Sequence, residues 1–457
     1  MIENHLPTAV PTQQTPLMKF ASYMRNFPSS LEGGVRRGGV VSEVLRLSIT
    51  VRGISDIVAL GDMVEMDCQG QVAYGEVIRV TKDTVSLKPF DERMLPALNA
   101  SVFPIGPFLI APDISWRGRV LNALGQPIDG EGPLLAGPQK RPVESYAPPA
   151  LRRDRVKDPL RIGVNVVDIF MPLCFGQRIG IFAGSGVGKS TLLAMMTQAD
   201  HFDTVVLALT GERGREVRDM LDDTLKGKRD KVISVVSTGD ESAMMRSFAP
   251  VTATSIAEYF SSLGHRVLLL VDSVTRYALA LREVALAANE PPVSRGFPPS
   301  VFSRLPRLLE RAGPGDKNGG SITGIYAVLV DGDDHNDPIA DSIRGILDGH
   351  IVLDRTIASR GQFPAVDILL SISRLSSQCW TAEQKKLVQN LKEMIARYEE
   401  TRDLRAMGAY KAGADPLLDQ ALMLVPRIYK ALQQDLETPL AEDPYAFLAS
   451  ALKEDTL

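Results

Sequence analysis

The apolar residues of the chain follow two different periods, and these periods divide it into regions. Between residues 39 and 108 the period is two, which is typical of strands with one buried face. Several short runs of this kind lie close together, and closure into a small β-barrel would remove their free edges. We therefore predict a β-barrel over residues 31–110. One strand is expected to carry four inward-facing side chains: Leu45, Leu47, Ile49 and Val51.

Longer apolar runs, separated by helical stretches, follow a proline-rich passage at residues 138–149. Near-continuous Val, Ile and Leu is typical of strands in a mostly parallel sheet that helices cover on both faces. The predicted fold class is therefore α/β, with a linker at 111–150 and a core domain at 151–380. The predicted core strands are residues 178–183, 204–210, 231–236, 266–271, 321–330 and 366–372.

The two ends of the chain have patterns of their own. Residues 1–30 are polar and contain several prolines, which predicts a mobile tail. Within the tail, residues 17–27 have helical spacing, which fits either a helix that docks on a partner or a locally packed helix. At the other end, Thr381 and Gln384 form a capping-box pattern, and a helical domain is predicted over 381–457. Its expected apolar stripe is Leu387, Leu391, Met394, Ile395 and Tyr398.

Composition narrows the class of protein. The 457 residues carry a formal net charge of −4, which argues against coating of nucleic acid by bulk charge, and we expect no nucleic-acid partner. No apolar run is as long as a membrane span, and the first residues lack the order of a secretory signal. Cys68, Cys174 and Cys379 are far apart in sequence, so buried structural thiols are expected rather than a disulfide framework. These features predict a cytoplasmic protein.

A glycine-rich run between an apolar strand-like segment and a helix-like one carries the clearest chemical signal. In that context, backbone N–H groups and a helix N-terminus face an anion. Lys189 would reach the β- and γ-phosphates of a nucleoside triphosphate, and the Ser190 hydroxyl would hold Mg²⁺. Ala183 stands where the first glycine of the strict motif is usual. The predicted nucleotide-binding residues are Ala183, Gly184, Ser185, Gly186, Val187, Gly188, Lys189, Ser190 and Thr191.

Acidic residues follow two further apolar runs. The run at 266–271 leads into Asp272, the position of a Walker-B carboxylate that orients Mg²⁺ through its waters. The run at 204–210 leads into Glu212 and Arg213. Because ligands bind beyond the carboxyl ends of strands in an open α/β sheet, Glu212 can polarise the attacking water and Arg213 can contact the γ-phosphate. An exposed charged turn is the alternative for both residues.

Arg374 ends another apolar run, far in sequence from the glycine-rich loop. Within one subunit it would be a salt-bridged strand terminus. Across an interface it would be an arginine finger on the neighbour's nucleotide, an effect of about 10³ to 10⁵ in rate. In that case the active site exists only in an assembled ring. Since the loop, Glu212 and Arg374 lie on one chain, identical subunits can build complete sites.

Several segments together resemble the rotary ATPase family, which includes the catalytic and non-catalytic subunits of ATP synthase. The strongest resemblance is to its homo-oligomeric branch, the ATPases of flagellar and virulence type III protein export, and it covers roughly residues 30–440. The matching segments are residues 118–121, 125–130, 183–191, 211–213, 269–273, 299–302, 305–313, 337–341, 344–350, 363–367, 371–374, 408–413 and 415–419.

This resemblance implies a hexameric ring whose subunits have an N-terminal β-barrel, a RecA-like P-loop core and a C-terminal helical domain. It also implies that the cofactors are ATP and Mg²⁺. The matching motifs assign these roles: phosphate-loop ligands for Lys189 and Ser190, catalytic carboxylate for Glu212, Walker-B residue for Asp272 and trans-acting finger for Arg374.

Two further positions gain a role only from the resemblance. Phe363 stands where ATP synthase has a tyrosine that stacks on adenine, and stacking tolerates this exchange because it needs only the π-face. The acidic residues Asp331–Asp334 resemble a pore-facing loop that touches the central stalk in rotary relatives. A solvated acidic loop is the alternative.

The resemblance predicts an ATPase that energises flagellar type III protein export, releasing cargo from chaperones and promoting its entry to the export gate. The protein would associate peripherally with the membrane export apparatus. Its expected partners are a stator-type negative regulator on the tail, a central-stalk-like export protein, chaperone–cargo complexes and the gate. The alternatives are the same machine in a virulence system, a catalytic subunit of a rotary ATP synthase, and a nucleic-acid translocase of the transcription-termination type.

Overall fold

The computed structural model describes residues 36–224, 229–316, 319–330 and 337–453. The predicted tail at 1–30 and the acidic loop Asp331–Asp334 lie outside the described residues, so the interpretations given to them stay predictions. Among the described residues, no helix is both long enough and apolar enough to span a membrane.

Six antiparallel strands close into the N-terminal barrel. The first strand pairs with both the second and the sixth, and the order around the barrel is β1-β2-β5-β4-β3-β6. Alternate side chains fill the interior, among them Val41, Val64 and Leu87. The strands are β1 (Gly39–Val44), β2 (Ile49–Arg52), β3 (Met63–Cys68), β4 (Gln71–Val80), β5 (Thr84–Pro89) and β6 (Ser101–Gly106).

The expected inward orientation of two barrel residues is wrong. Leu45 and Leu47 are each 52% exposed, and they lie in the turn that joins β1 to β2. Only Ile49 and Val51 of the alternating run are buried, because β2 begins at Ile49. The period-two pattern continues through the turn between β1 and β2, so it did not predict this turn.

The six predicted core strands all belong to one nine-stranded sheet, and the α/β class with a barrel, a RecA-like core and C-terminal helices is confirmed. The order of its eight main strands is β19-β18-β12-β17-β15-β13-β14-β8, with a short ninth strand beside β17. The strands are β8 (Val120–Asn122), β12 (Arg178–Ala183), β13 (Thr204–Glu212), β14 (Val232–Thr238), β15 (Arg266–Asp272), β16 (Gly313–Pro314), β17 (Ser321–Leu329), β18 (Gly349–Leu353) and β19 (Val366–Ser373).

This sheet differs from the expectation in its short strands and in the direction of one strand. The strands β8, β16 and β18 were not predicted, and β8 lies within the predicted linker at 111–150. In addition, β19 runs antiparallel to β18, so that Gly349 pairs with Ser373 and Leu353 with Val366. Apolar content alone does not give strand direction. Small antiparallel pairs stand outside the sheet: β7 (Leu109–Ile110) with β9 (Arg141–Pro142), and β10 (Pro159–Leu160) with β11 (Leu173–Cys174).

Helices cover both faces of the sheet, as expected. Helices α4 to α7 pack on one face, and α1, α2 and the C-terminal helices α10 and α12 pack on the other. The helices are α1 (Asn165–Phe170), α2 (Lys189–Thr197), α3 (Gly214–Asp219), α4 (Ala243–Ser262), α5 (Val274–Ala287), α6 (Pro299–Leu309), α7 (Pro338–Ile346), α8 (Arg355–Ser359), α9 (Ser376–Cys379), α10 (Ala382–Glu400), α11 (Arg402–Ala406), α12 (Pro416–Ala431) and α13 (Pro444–Lys453).

The predicted start of the C-terminal helices is correct. Thr381 and Gln384 form a reciprocal capping box at the beginning of α10. Leu391 and Ile395 are buried as expected, and Met394 and Tyr398 are partly buried against the same core. Only the first position of the expected stripe is wrong, because Leu387 is 42% exposed and Val388 is buried in its place.

Candidate nucleotide-binding site

The candidate site lies at one end of the central sheet. Strands β12, β15 and β13 are parallel and separated only by β17, so their carboxyl ends meet at the same edge. The glycine-rich loop follows Ala183 at the end of β12, while Asp272 and Glu212 are the last residues of β15 and β13. The topology therefore brings the predicted phosphate loop and both carboxylates together.

The loop has the backbone shape that an anion cradle needs. Gly186 and Gly188 have φ values of 77° and 93°, a left-handed conformation that side-chain-bearing residues seldom adopt. Gly188 caps α2, which begins at Lys189. Ser190 and Thr191 are exposed on the first turn of that helix, so the hydroxyl of Ser190 is accessible beside the free N–H groups of the helix N-terminus.

Lys189 lies between the two carboxylates. Its Nζ donates a hydrogen bond to Oδ1 of Asp272 and lies 3.5 Å from Oε1 of Glu212. Asp272 and Glu212 are 2% and 7% exposed, and an ion pair in such an environment is screened little by water. Lys189 is therefore shared by two buried carboxylates.

A bulge at the end of β13 positions Glu212. Opposite β14, Thr210 pairs with Ser237 and Glu212 with Thr238, so Gly211 is an extra residue. Bulges of this kind change the direction of the following side chain. Burial, opposed by the charge of Lys189, raises the pKa of Glu212 to about 7. The carboxyl is thus poised to accept or release a proton near neutral pH.

The structure adds one residue that the sequence analysis missed. Arg276 lies on the first turn of α5, and its Nε is 3.3 Å from Oε1 of Glu212. Its aliphatic part packs on Gly211, where a Cβ atom would lie only 2.8 Å from Cδ of the arginine. The sequence places Arg276 only four residues after Asp272, at the start of the following helix. Its proximity to Glu212 is a tertiary contact that the sequence pattern does not predict.

Phe363 lies beside the phosphate loop. A Cβ atom placed on Gly188 would be 3.4 Å from its ring, and the ring is 44% exposed. Its carbonyl accepts a hydrogen bond from the N–H of Gln434, which anchors this segment to the C-terminal helices. An exposed aromatic face next to the loop can stack on a planar base.

Two predicted site residues are not part of this cluster. The side chain of Arg213 is 83% exposed and pairs with Glu216 at 3.6 Å. Arg374 follows β19, and its backbone N–H donates to the carbonyl of Asp348, next to Arg178 at the start of β12. The six residues of β12 separate that edge from the loop by about 17 Å at the rise of a strand. Arg374 is exposed, and its Nη2 contacts only the carbonyl of Arg344 among the described residues, at 3.5 Å.

The cluster fits ATP and Mg²⁺. Oε1 of Glu212 and Nε of Arg276 are buried and form an ion pair at 3.3 Å, but neither atom has a hydrogen-bond partner among the described residues. A ligand or water can complete such groups. The loop glycines and the helix N-terminus supply donors for phosphate oxygens. The exposed Ser190 hydroxyl and the Asp272 carboxylate are oxygen donors of the kind that Mg²⁺ prefers. The fold and this site define a P-loop nucleotide-binding protein.

Comparison with known proteins gives the family. Residues 163–373 match the nucleotide-binding domain of the ATP synthase alpha/beta family, and residues 380–444 match the C-terminal domain of the T3SS EscN ATPase. The flagellum-specific ATP synthase of Agrobacterium fabrum is 53% identical over 92% of this chain and 89% of the relative. The type 3 secretion system ATPase of Xanthomonas euvesicatoria is 41% identical over 92% and 95% of the two chains.

A solved structure shows the same architecture. The assembled ATPase EscN of the enteropathogenic E. coli type III secretion system has a TM-score of 0.83 and 39% sequence identity, and the match covers 91% of this chain and 99% of EscN. The chain therefore belongs to the ATP synthase alpha/beta family, in the group that includes flagellum-specific ATP synthases and type III secretion ATPases. It is an ATPase.

Proposed function

We propose that this chain hydrolyses ATP at the seams of a ring of identical subunits, and that hydrolysis energises flagellar type III protein export. The observation that carries the proposal is the division of the site. Lys189, Glu212 and Asp272 meet within one chain, whereas Arg374 is exposed at the opposite edge of the sheet. A head-to-tail ring brings one edge of each subunit against the other edge of its neighbour.

The residues would divide the work as follows. The loop N–H groups and Lys189 bind the phosphates, and Phe363 stacks on adenine. Bound Mg²⁺, held by Ser190 and through water by Asp272, would neutralise phosphate charge. Glu212 orients the attacking water and accepts its proton, while Arg276 fixes the carboxylate. Arg374 of the neighbouring subunit stabilises the charge that develops in the transition state.

Arg213 has a different position from these residues. Its exposed side chain would reach the γ-phosphate only after it leaves Glu216. We propose that it contacts the nucleotide or the adjoining subunit in the assembled ring, where its exposure makes such a contact accessible.

The partners and the location are also part of the proposal. EscN has been solved assembled and in complex with its central stalk EscO, the latter with a TM-score of 0.82 and 39% identity to this chain. These structures support a homohexamer with a stalk-like export protein in its centre. We further propose that the tail binds a stator-type negative regulator, and that the ring receives chaperone–cargo complexes at the export gate. The ring would then lie on the cytoplasmic side of the membrane export apparatus.

A second candidate function is ATP hydrolysis for a virulence secretion system. It is supported by the type 3 secretion ATPase of X. euvesicatoria and by EscN. The flagellar function is favoured because the relatives at 53% identity, from A. fabrum and Rhizobium meliloti, are flagellum-specific ATP synthases.

The two functions separate in a rescue experiment. The chain is expressed in A. fabrum lacking its flagellum-specific ATP synthase, and in X. euvesicatoria lacking its type 3 secretion ATPase. We expect restored motility in the first strain and little secretion in the second. The Lys189→Ala variant, at equal protein level, should restore neither. Rescue of secretion without motility would contradict the flagellar function, and rescue by Lys189→Ala would contradict a role of ATP hydrolysis.

A further inference from the structure

Two cysteines that are 205 residues apart in sequence meet in the fold. The Sγ atoms of Cys174 and Cys379 are 3.1 Å apart. Cys174 ends β11 and Cys379 ends α9. Their distance in sequence had suggested unconnected structural thiols. The third cysteine, Cys68, lies in the barrel strand β3 and contacts the carbonyl of Met94.

The contact lies at the connection between the sheet and the C-terminal helices. The chain passes from β19 through Arg374 into α9 and then into α10. On the near side of Arg374, the Ser373 hydroxyl donates to the carbonyl of Pro172 at 2.8 Å. On the far side, Cys379 contacts Cys174. Ser373, directly before the arginine, and Cys379, five residues after it, therefore both contact the same segment, residues 172–174.

The two thiols differ in access. Cys174 is fully buried, whereas Cys379 is partly exposed, so a small oxidant can reach the latter. The Cys379 thiol also donates a hydrogen bond to the carbonyl of Leu173 at 3.2 Å, which holds its sulfur beside β11. A disulfide needs the two sulfurs only about 1 Å closer than they are. Disulfides of proteins in reducing compartments are mostly transient and regulatory.

We propose that Cys174 and Cys379 form a reversible disulfide when the protein meets a hydroperoxide, and that this bond slows ATP hydrolysis. The Cys379 sulfur takes the terminal peroxide oxygen as the O–O bond breaks, and the leaving oxygen takes the thiol proton, which gives a sulfenic acid and an alcohol or water. The Cys174 sulfur then attacks the Cys379 sulfur. The sulfenic oxygen leaves as water with the Cys174 proton. Two thiols lose two electrons, and the peroxide gains them.

The effect on hydrolysis rests on the proposed role of Arg374. The disulfide fixes α9 on β11, so the segment that carries the arginine, and the connection to the C-terminal helices, lose freedom to move. In the proposed function, the Arg374 side chain reaches the nucleotide of the neighbouring subunit. A fixed segment restricts the movement that brings the side chain into that position. Nucleotide binding at the loop near Lys189 depends on other elements and is left unchanged.

The test uses the full-length assembled protein. It is treated with hydrogen peroxide, residual thiols are alkylated, and peptides are mapped by mass spectrometry while ATPase activity is followed. In the wild type and in the matched control Cys68→Ser, we expect a peptide linked through Cys174 and Cys379. We also expect a fall in kcat of about threefold or more, with ATP affinity retained. Dithiothreitol should restore the rate. Cys379→Ser should form no link and keep its rate under peroxide.

Three results would overturn the proposal: no link in the wild type, a link without loss of rate, or an equal loss of rate in Cys379→Ser. If Cys379→Ser does not assemble, Cys174→Ala serves in its place. The proposed role of Arg374, on which the loss of rate rests, is judged separately from the ATPase rate of the Arg374→Ala variant, which does not depend on any cysteine.

Discussion

At the carboxyl end of β12, β13 and β15, a lysine lies among two buried carboxylates and a second cation, whereas at the other end of the same sheet Arg374 is exposed to solvent. The first region is costly to build, since two anions and a lysine have left water. The second costs little, because an exposed arginine stays hydrated. This difference supports our proposal that one subunit provides the phosphate-binding site and that Arg374 of a neighbouring subunit completes it.

Among the substitutions in the first region, Glu212→Gln should reduce the ATPase rate the most. The amide keeps the size of the side chain but cannot accept a proton, so kcat should fall by about 10² to 10⁴, with ATP binding retained. Steady-state ATPase rates and nucleotide-affinity measurements check this. Glu76→Gln is the matched control, because Glu76 is also a buried carboxyl with its pKa raised to about 7 by burial, but in the barrel. An equal loss of rate in both variants would contradict a special role for Glu212.

A second variant, Arg276→Ala, tests whether Arg276, which was not predicted from the sequence, contributes to hydrolysis. Without it, Glu212 loses an ion pair at 3.3 Å, so the carboxylate that orients the attacking water is held less precisely. We expect kcat to fall about 100-fold. Arg282→Ala, on the same helix, removes a cation–π contact with Phe297 in another part of the core domain and should change the rate little. If the Arg276→Ala and Arg282→Ala variants have the same ATPase rate, Arg276 has no part in the reaction.

The pH dependence of kcat/KM tests the role of Glu212 without a substitution. Burial raises the pKa of Glu212 to about 7, and the carboxylate must be ionised to accept a proton. As pH falls below 7, kcat/KM should therefore fall by about tenfold per pH unit. Because Arg276 lowers the pKa of Glu212, the Arg276→Ala variant should lose activity at a higher pH than the wild type. A profile that is flat between pH 5 and 8 would contradict Glu212 as the base.

The smallest expected effect is at Phe363. Phe363→Ala removes the aromatic face beside Gly188, and KM for ATP should rise about three- to tenfold with kcat unchanged. Phe363→Tyr keeps the face and should resemble the wild type. Initial rates over a range of ATP concentrations separate KM from kcat. An unchanged KM in Phe363→Ala would mean that the base binds elsewhere.

Local and nonlocal features differed in how far the sequence predicted them. The phosphate loop depends on residues next to each other, so its strand, glycines and helix follow from the pattern. The strand termini Asp272 and Glu212 were predicted because parallel strands end at one edge. The contact of Arg276 with Glu212 and that of Cys174 with Cys379 depend on packing between distant segments, for which the pattern carries no signal.

The errors have similar physical causes. Leu45 and Leu47 were expected inside the barrel because alternation continues through the turn before β2. β19 was expected in a mostly parallel sheet but is antiparallel to β18, because a buried antiparallel strand and a buried parallel strand have the same composition. That direction matters most for function, since it carries Arg374 away from the loop that the same chain provides.

The central claim is that ATP is cleaved at a seam shared by two identical subunits. The most direct test mixes Glu212→Gln and Arg374→Ala proteins, each expected to be nearly inactive alone, and measures the ATPase rate of mixed rings verified by native mass spectrometry. A seam is intact where an Arg374→Ala subunit, which keeps Glu212, binds the nucleotide and its Glu212→Gln neighbour contributes Arg374. Random 1:1 mixing should therefore restore about a quarter of the seams. Mixed rings that stay as inactive as either parent, or an Arg374→Ala protein that is active alone, would contradict the shared site.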